Sequence, residues 1–355
     1  MLSRPKRAAA NKRKRLETTE LPTGPVLGIS LASSVLSLSF FGRYLDGTEI
    51  QGLSNRVYKN RGIEFAAVNG HLSLMIWLQK KRRYLGCTTR AMDMAAKNGF
   101  LSVIQWLHAN RLEGCTPKAM ALAAENGHLN VVKWLHHHRH EGCLAWATSE
   151  AARNGHLDVV EWFYLNRSKI ILQDGDSRDM LRAANNHPLE MAALDGHISI
   201  VEWLHNNVAD ACTPRAMDLA AMGGHLNLVE WLHANRSEGC TTEAMDEAVE
   251  NGHFHIVEWL HTHRSEGCSS CATWNAAGNG DLQVLEWLHL NRPEETNHDE
   301  EDSDNAARNG HLNIVEWLHA NRPDHCCSFQ GMDLAAGDGH LSIVEWLHAN
   351  CDEGC

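Results

Sequence analysis

The sequence predicts an all-α solenoid of about ten stacked helix hairpins. Variants of the string Asn-Gly-His-Leu-x-x-Val-Glu-Trp-Leu-His recur ten times in 355 residues, mostly at steps of 28 residues. Ten of the twelve tryptophans lie seven residues after the glycine of the string. A fixed period of this length is typical of repeat proteins, whose units bury their apolar faces by stacking on their neighbours. The ten glycines are Gly70, Gly99, Gly127, Gly155, Gly196, Gly224, Gly252, Gly280, Gly310 and Gly339.

One unit, residues 240–264, shows why each repeat predicts a hairpin. Thr241 is placed to cap the first helix, whose apolar residues recur at helical spacing. Asn251-Gly252 ends that helix, because glycine suits the left-handed position after a helix. A second helix is expected from about His253 to His263. Its apolar stripe comprises Ile256, Val257, Trp259 and Leu260.

Two further expectations follow from this stripe. The ten repeat tryptophans, from Trp77 to Trp346, are expected to form a ladder of core side chains between second helices. In the last repeat, no polar capping unit follows Asp352-Glu353-Gly354-Cys355. An apolar patch is therefore expected there, which would lead to self-association or to a covering partner. The residues of this patch are Ile343, Val344, Trp346 and Leu347.

The units resemble ankyrin repeats. One copy reads Ala123-Ala124-Glu125-Asn126-Gly127-His128-Leu129, and Thr116-Pro117 and Thr213-Pro214 are similar to the Thr-Pro that opens the ankyrin hairpin. The resemblance covers about five-sixths of the chain. Each unit is about five residues shorter than the ankyrin period of about 33, so short loops are expected in place of the β-turn fingers. The resemblance implies a concave surface that binds protein partners, here mainly through the first helices.

The chain divides into segments of different composition. Residues 1–20 are expected to be a disordered basic tail, residues 21–61 an N-terminal helical cap region, and residues 62–355 the repeat array. An insertion near residues 169–186 lengthens one step to 41 residues and is interpreted as a loop or a short extra helix. The apolar run of residues 26–41 is short for a membrane span, which needs about 20 residues.

Charge separates the tail from the array. Residues 1–20 carry +5 of the net charge of −12, which leaves −17 on the remaining residues. An acidic array repels phosphate backbones, so we expect no nucleic acid binding by the array. The two basic clusters of the tail resemble a bipartite nuclear-import signal, which implies an importin-type receptor and a nuclear location, with the cytoplasm as the alternative. The residues of this signal are Arg4, Lys6, Arg7, Lys12, Arg13, Lys14 and Arg15.

The array is not expected to be catalytic, because its histidines and glutamates recur in register and a catalytic group is normally unique. The histidine after the repeat glycine, such as His225, is expected to contact backbone or the neighbouring unit. A cluster of His136, His137, His138, His140 and Cys143 has ligand types that suit zinc, but His136 is the ordinary repeat histidine. We therefore predict no catalytic residue, no metal and no cofactor.

The cysteines at one repeat position are expected to be reduced, buried side chains. Neighbouring copies should lie roughly 10 Å apart, beyond the reach of a disulfide. These cysteines are Cys87, Cys115, Cys143, Cys212, Cys240, Cys268 and Cys355.

A binding surface is predicted from positions that vary between units. The variable row directly follows the Ala-Ala pair: Val68, Lys97, Glu125, Arg153, Leu194, Met222, Glu250, Gly278, Arg308 and Gly337. The acidic row lies four residues earlier: Glu64, Asp93, Ala121, Ser149, Glu190, Asp218, Asp246, Trp274, Asp304 and Asp333. Residues four apart share a helix face, so both rows are expected to form one exposed stripe. The predicted partner-binding residues are Asp93, Lys97, Glu125, Arg153, Glu190, Asp218, Met222, Asp246, Glu250, Trp274, Asp304, Arg308 and Asp333.

These observations predict a nuclear, non-catalytic protein-binding scaffold. One alternative is a substrate-recognition adaptor of a larger complex such as a ubiquitin ligase, because Leu21-Pro22 followed by Val26 and Leu27 resembles the opening of an F-box. A second alternative is a membrane-anchored receptor, which requires residues 26–41 to insert into a bilayer.

Overall fold

The structure is a computed structural model that describes residues 61–81, 86–170, 172–173, 187–208, 213–293, 300–321 and 328–351. Residues 60–355 group into one compact unit. The predicted basic tail, nearly all of the cap region and most of the insertion lie outside the described residues. The run at residues 26–41 and the F-box-like residues also lie outside them.

Twenty α-helices form ten hairpins within the described ranges. The first helices are α1 (Gly62–Val68), α3 (Thr89–Lys97), α5 (Lys118–Glu125), α7 (Ala147–Arg153), α9 (Pro188–Leu194), α11 (Arg215–Met222), α13 (Glu243–Glu250), α15 (Ser270–Asn279), α17 (Glu300–Arg308) and α19 (Phe329–Gly337). The second helices are α2 (Leu72–Lys81), α4 (Leu101–Asn110), α6 (Leu129–His138), α8 (Leu157–Asn166), α10 (Ile198–Asn207), α12 (Leu226–Asn235), α14 (Phe254–His263), α16 (Leu282–Asn291), α18 (Leu312–Asn321) and α20 (Leu341–Asn350). The predicted all-α solenoid is confirmed.

The closest packing joins successive first helices, such as α11 with α13 and α3 with α5. The alanine pairs make this possible because small side chains let two backbones approach, and Ala220 and Ala221 are fully buried. Each second helix packs on its own first helix through a buried stripe. In α14 that stripe consists of Ile256, Val257 and Leu260.

The glycine between the two helices has a geometric reason. Gly196 has a φ of 73°, which places it in the left-handed region. The histidine of the following unit packs directly against this backbone, and a Cβ on Gly196 would lie 2.5 Å from Nδ1 of His225. The same histidine contacts the carbonyl oxygen of Leu194 through Nε2 at 3.1 Å. The structural role predicted for this repeat histidine is therefore what the structure shows.

The repeat tryptophans form an inter-unit series, but they are only partly buried rather than core side chains. Trp231 meets the ring of His205 edge-on at a centroid distance of 5.3 Å, and Trp77 is 52% exposed. Arg236 extends the contact by donating to Nδ1 of His205 at 3.0 Å. The buried positions belong to the aliphatic residues, so we revise the expected core ladder to a half-exposed row of histidine and tryptophan.

A short strand pair departs from the all-α pattern. Strand β1 (Cys143–Leu144) pairs in parallel with β2 (Leu172–Gln173), and a 3₁₀ turn spans Arg167–Lys169. The sequence placed a loop or a short extra helix here. None of the described helices has the length and apolarity that a membrane crossing requires.

The predicted apolar patch at the last repeat does not appear at the residues expected to form it. Ile343 and Leu347 are buried, and Val344 and Trp346 are partly buried against the core. The stripe already packs inside its own hairpin and against the previous one.

Cys115, Cys143, Cys240 and Cys268 are buried free thiols. Cys351, outside the repeat cysteine position, is disulfide-bonded.

Candidate protein-binding surface

The acidic row lies between the units rather than on the surface. Asp218 is 3% exposed and accepts two hydrogen bonds from Thr241 of the next unit. The Thr241 amide donates to Oδ1 at 2.8 Å, and its hydroxyl donates to Oδ2 at 2.9 Å. The same hydroxyl accepts a bond from the amide of Glu243, the first residue of α13, whereas the N-cap position predicted for Thr241 is held by Thr242. One carboxylate therefore fixes the start of the following first helix.

This inter-unit hydrogen bond recurs along the array, with 23 or 24 residues between the carboxylate and the hydroxyl residue. The other pairs are Glu64 with Thr88, Asp93 with Thr116, Glu190 with Thr213, Asp246 with Ser269 and Asp304 with Ser328. The prediction that Asp93, Glu190, Asp218, Asp246 and Asp304 form an exposed stripe is wrong. Their carboxylates are engaged by the next unit.

Burial has an electrostatic cost at these carboxylates. Desolvation raises the pKa of Asp93 and of Asp218, although the hydrogen bonds from Thr116 and Thr241 act in the opposite direction. The hydrogen bonds to the next unit therefore offset part of the cost of burying these carboxylates. Asp333 occupies the same repeat position in α19 and is exposed.

The exceptions in the acidic row support this structural role. Ala121 stands at the acidic position of α5, and the residue 23 positions later is Leu144 rather than threonine or serine. Both side chains are buried, and the helix that carries Ala121 packs against the strand that carries Leu144. Trp274 stands at the acidic position of α15 and is 45% exposed. The spacing between acid and hydroxyl residue is the signal in the sequence that could have revealed this pairing.

The exposed face of the first helices is formed by the variable row and a neighbouring outer row. Lys97, Arg153, Glu250 and Arg308 of the variable row are exposed, as predicted for them, whereas Glu125, Leu194 and Met222 are partly exposed. The outer row lies three rather than four residues before the variable row, and most of its members are partly exposed. It consists of Phe65, Met94, Leu122, Glu150, Met191, Leu219, Glu247, Asn275, Asn305 and Leu334.

Residues of both rows meet in a groove of about 700 Å³ across α7, α9, α11 and α13. Met191 and Leu194 of α9 and Leu219 and Met222 of α11 supply its apolar lining. Glu150 and Arg153 line it on the α7 side. Glu243, Glu247 and Arg215 also line it, the two glutamates from α13. Of the predicted partner-binding residues, the groove unites Met222 and Arg153 and contains Glu190 and Asp218 as buried parts of its wall.

The two ends of this groove differ in charge. At the α7 end the cation Arg153 pairs with Asp195 at 3.1 Å and lies in the lining together with Glu150. At the α13 end, burial and the neighbouring carboxylates Glu250, Glu243 and Asp246 raise the pKa of Glu247, and Arg215 acts against them. The α13 end is therefore a region of carboxylates that repel one another.

The candidate metal cluster does not come together. No group of three or more His, Cys, Asp or Glu side chains in the described part of the chain is arranged to hold a metal ion. His136 packs edge-on against Trp162, and His137 contacts the carbonyl oxygen of Lys133. Complete burial raises the pKa of Cys143, which disfavours the thiolate that would bind zinc.

Comparison with known families agrees with the observed hairpins. A family model described as ankyrin repeats (3 copies) matches residues 91–174. A second, described as ankyrin repeats (many copies), matches residues 189–233 and 217–261. The comparison with curated proteins finds no match. The matched residues carry ankyrin repeats, as the sequence predicted. Ankyrin repeats indicate a protein-interaction scaffold and are generally non-catalytic binding modules, and no enzyme family is indicated.

Proposed function

We propose that this chain is a non-catalytic scaffold that binds its protein partner on the exposed face of its first helices. One observation carries the proposal. The contacts that hold the array together repeat from unit to unit, whereas the exposed positions of the first helices change in chemistry. The variable residues contribute to stacking only through exposed ion pairs such as Arg153 with Asp195, which are worth little.

The changes along the surface are not uniform. Arg90 and Lys97 make α3 basic, Met191 and Leu194 make α9 apolar, and Glu250 contributes to an acidic α13. A surface with ordered differences can select one partner by complementary charge and shape. Protein interfaces combine an apolar centre with a polar rim, and the first-helix face offers both.

The experiment compares two substituted chains in affinity capture followed by mass spectrometry. Four exposed residues of the variable row are changed to serine: Lys97, Arg153, Glu250 and Arg308. In the control, four exposed residues of second helices are changed to serine: Glu202, Glu230, Glu286 and Glu316. The proposal expects that the partner captured by the unaltered chain is lost with the first variant and retained with the control. Capture that survives the first variant and fails with the control contradicts it.

A nuclear site of action is the second part of the proposal, and it is supported by the two basic clusters at residues 4–7 and 12–15. An importin-type receptor binds such clusters through charge. Replacing Lys12, Arg13, Lys14 and Arg15 with alanine should move a fluorescent fusion towards the cytoplasm. Unchanged nuclear accumulation would contradict this part without affecting the binding surface.

A further inference from the structure

We infer that the groove across α9, α11 and α13 binds a protein segment that presents apolar side chains followed by a lysine or arginine. This inference rests on the proposed function, because it assigns a partner chemistry to one part of the first-helix face. The apolar side chains would contact α9 and α11, and the basic residue would lie against α13.

The apolar half of the groove comes from two neighbouring helices. Met191 and Leu194 lie one turn apart on α9, and Leu219 and Met222 lie one turn apart on α11. All four line the same groove of about 700 Å³, a volume in the range of pockets that hold small-molecule ligands. Methionine adapts its shape to apolar partners, which suits a surface that must accept a side chain from another protein.

The acidic half of the groove determines the orientation of the bound segment. Glu243 and Glu247 line the groove on α13, and Glu250 lies one turn beyond Glu247 on the same helix. Asp246 is occupied by Ser269, so it cannot respond to a partner without loss of the inter-unit bond. Arg215 also lines this end, but Glu243, Glu247 and Glu250 outnumber it, and a cation from a bound segment would reduce their mutual repulsion. At the opposite end the cation Arg153 lines the groove together with Glu150 and is already paired with Asp195. Charge complementarity therefore orients the segment with its basic residue at α13.

The size of the groove sets the length of the segment. Successive packed helices are roughly 10 Å apart, so α9 and α13 are separated by roughly 20 Å. An extended chain covers that distance with about six residues. The segment is therefore short enough to be selected from a library of random peptides.

The test is peptide selection on the immobilised full-length chain, with a phage library of random peptides of about twelve residues. Selected peptides should carry apolar residues next to Lys or Arg. Met222→Lys should weaken their binding at least about tenfold, because it puts a charge into the apolar half. The double variant Glu243→Lys/Glu247→Lys should select acidic residues in place of basic ones. The control Glu202→Lys/Glu230→Lys makes the same charge change on second helices and should leave the selection unchanged.

Three results would overturn the inference: no enriched peptides, enrichment without basic residues, or binding that ignores Met222→Lys and the α13 double variant. Thermal melts of each variant establish that it is folded before the selections are compared. If the partner captured by the full chain depends on the first helices and the selected peptides do not use this groove, the proposed function stands and this inference fails. If capture also ignores the first helices, both fail.

Discussion

Replacing Asp218 with alanine tests whether the buried acidic row holds successive units together. The carboxylate accepts bonds of 2.8 and 2.9 Å from Thr241. Hydrogen bonds to a charged group contribute about 1.5–3 kcal/mol each, and the loss of desolvation cost at the carboxylate offsets part of this. We therefore expect Asp218→Ala to lower the free energy of unfolding by about 2–3 kcal/mol. Urea unfolding followed by tryptophan fluorescence measures this change.

The array contains a matched control at the same repeat position. Asp333 is exposed on α19, so Asp333→Ala should change the free energy of unfolding by less than about 0.5 kcal/mol. A double-mutant cycle of Asp218→Ala with Thr241→Val isolates the hydroxyl bond and should give a coupling of about 1 kcal/mol. An Asp218→Ala chain as stable as the unaltered one would refute the reasoning that this row is structural.

Three further predictions use the same unfolding assay. Trp231→Ala should cost about 1–3 kcal/mol, less than a fully buried tryptophan, because the indole is only partly buried. Gly196→Ala should cost at least about 1 kcal/mol more than Gly252→Ala, since both have a positive φ but only the first Cβ would meet His225. Burial lowers the pKa of His156 below 6.5, so the unfolded chain binds more protons and stability should fall as pH drops below 6.5. His156→Gln should make this decline shallower between about pH 7.5 and about pH 5.5, and an equal decline would contradict the assignment.

The hairpins could be predicted because their signals are local. A helical spacing of apolar residues, a glycine after the first helix and a histidine before the second are each contained within one unit. The role of Gly196 follows from its φ of 73° and the packing of His225, and both residues recur in most units. These features repeat in every unit or nearly so, and they can therefore be predicted without a structure.

The binding face could be predicted only in part because it depends on contacts between units. Residues three and four positions before the variable row both lie near its helix face. Which of these two positions faces the next unit depends on a partner far along the chain. Asp218 faces it because its carboxylate binds Thr241. The partial exposure of Met191 next to buried Glu190 is a product of that stacking.

The degree to which the repeat tryptophans are buried could not be predicted from the sequence either. Hydrophobic spacing places Trp231 beside Val229 and Leu232, but it does not say how much of a large ring the next hairpin covers. In the structure Val229 and Leu232 are buried, and the indole of Trp231 packs edge-on against the ring of His205 of the preceding unit. The side-chain size, rather than the helical period, determined this outcome.

We propose that the first-helix face, and not the second-helix face, contacts the partner. Hydrogen exchange of the full chain with and without its captured partner measures this most directly, because a bound surface slows local opening of the helices beneath it. We expect slower exchange in α9, α11 and α13, with little change in α10, α12 and α14. Slower exchange confined to α10, α12 and α14 would contradict it.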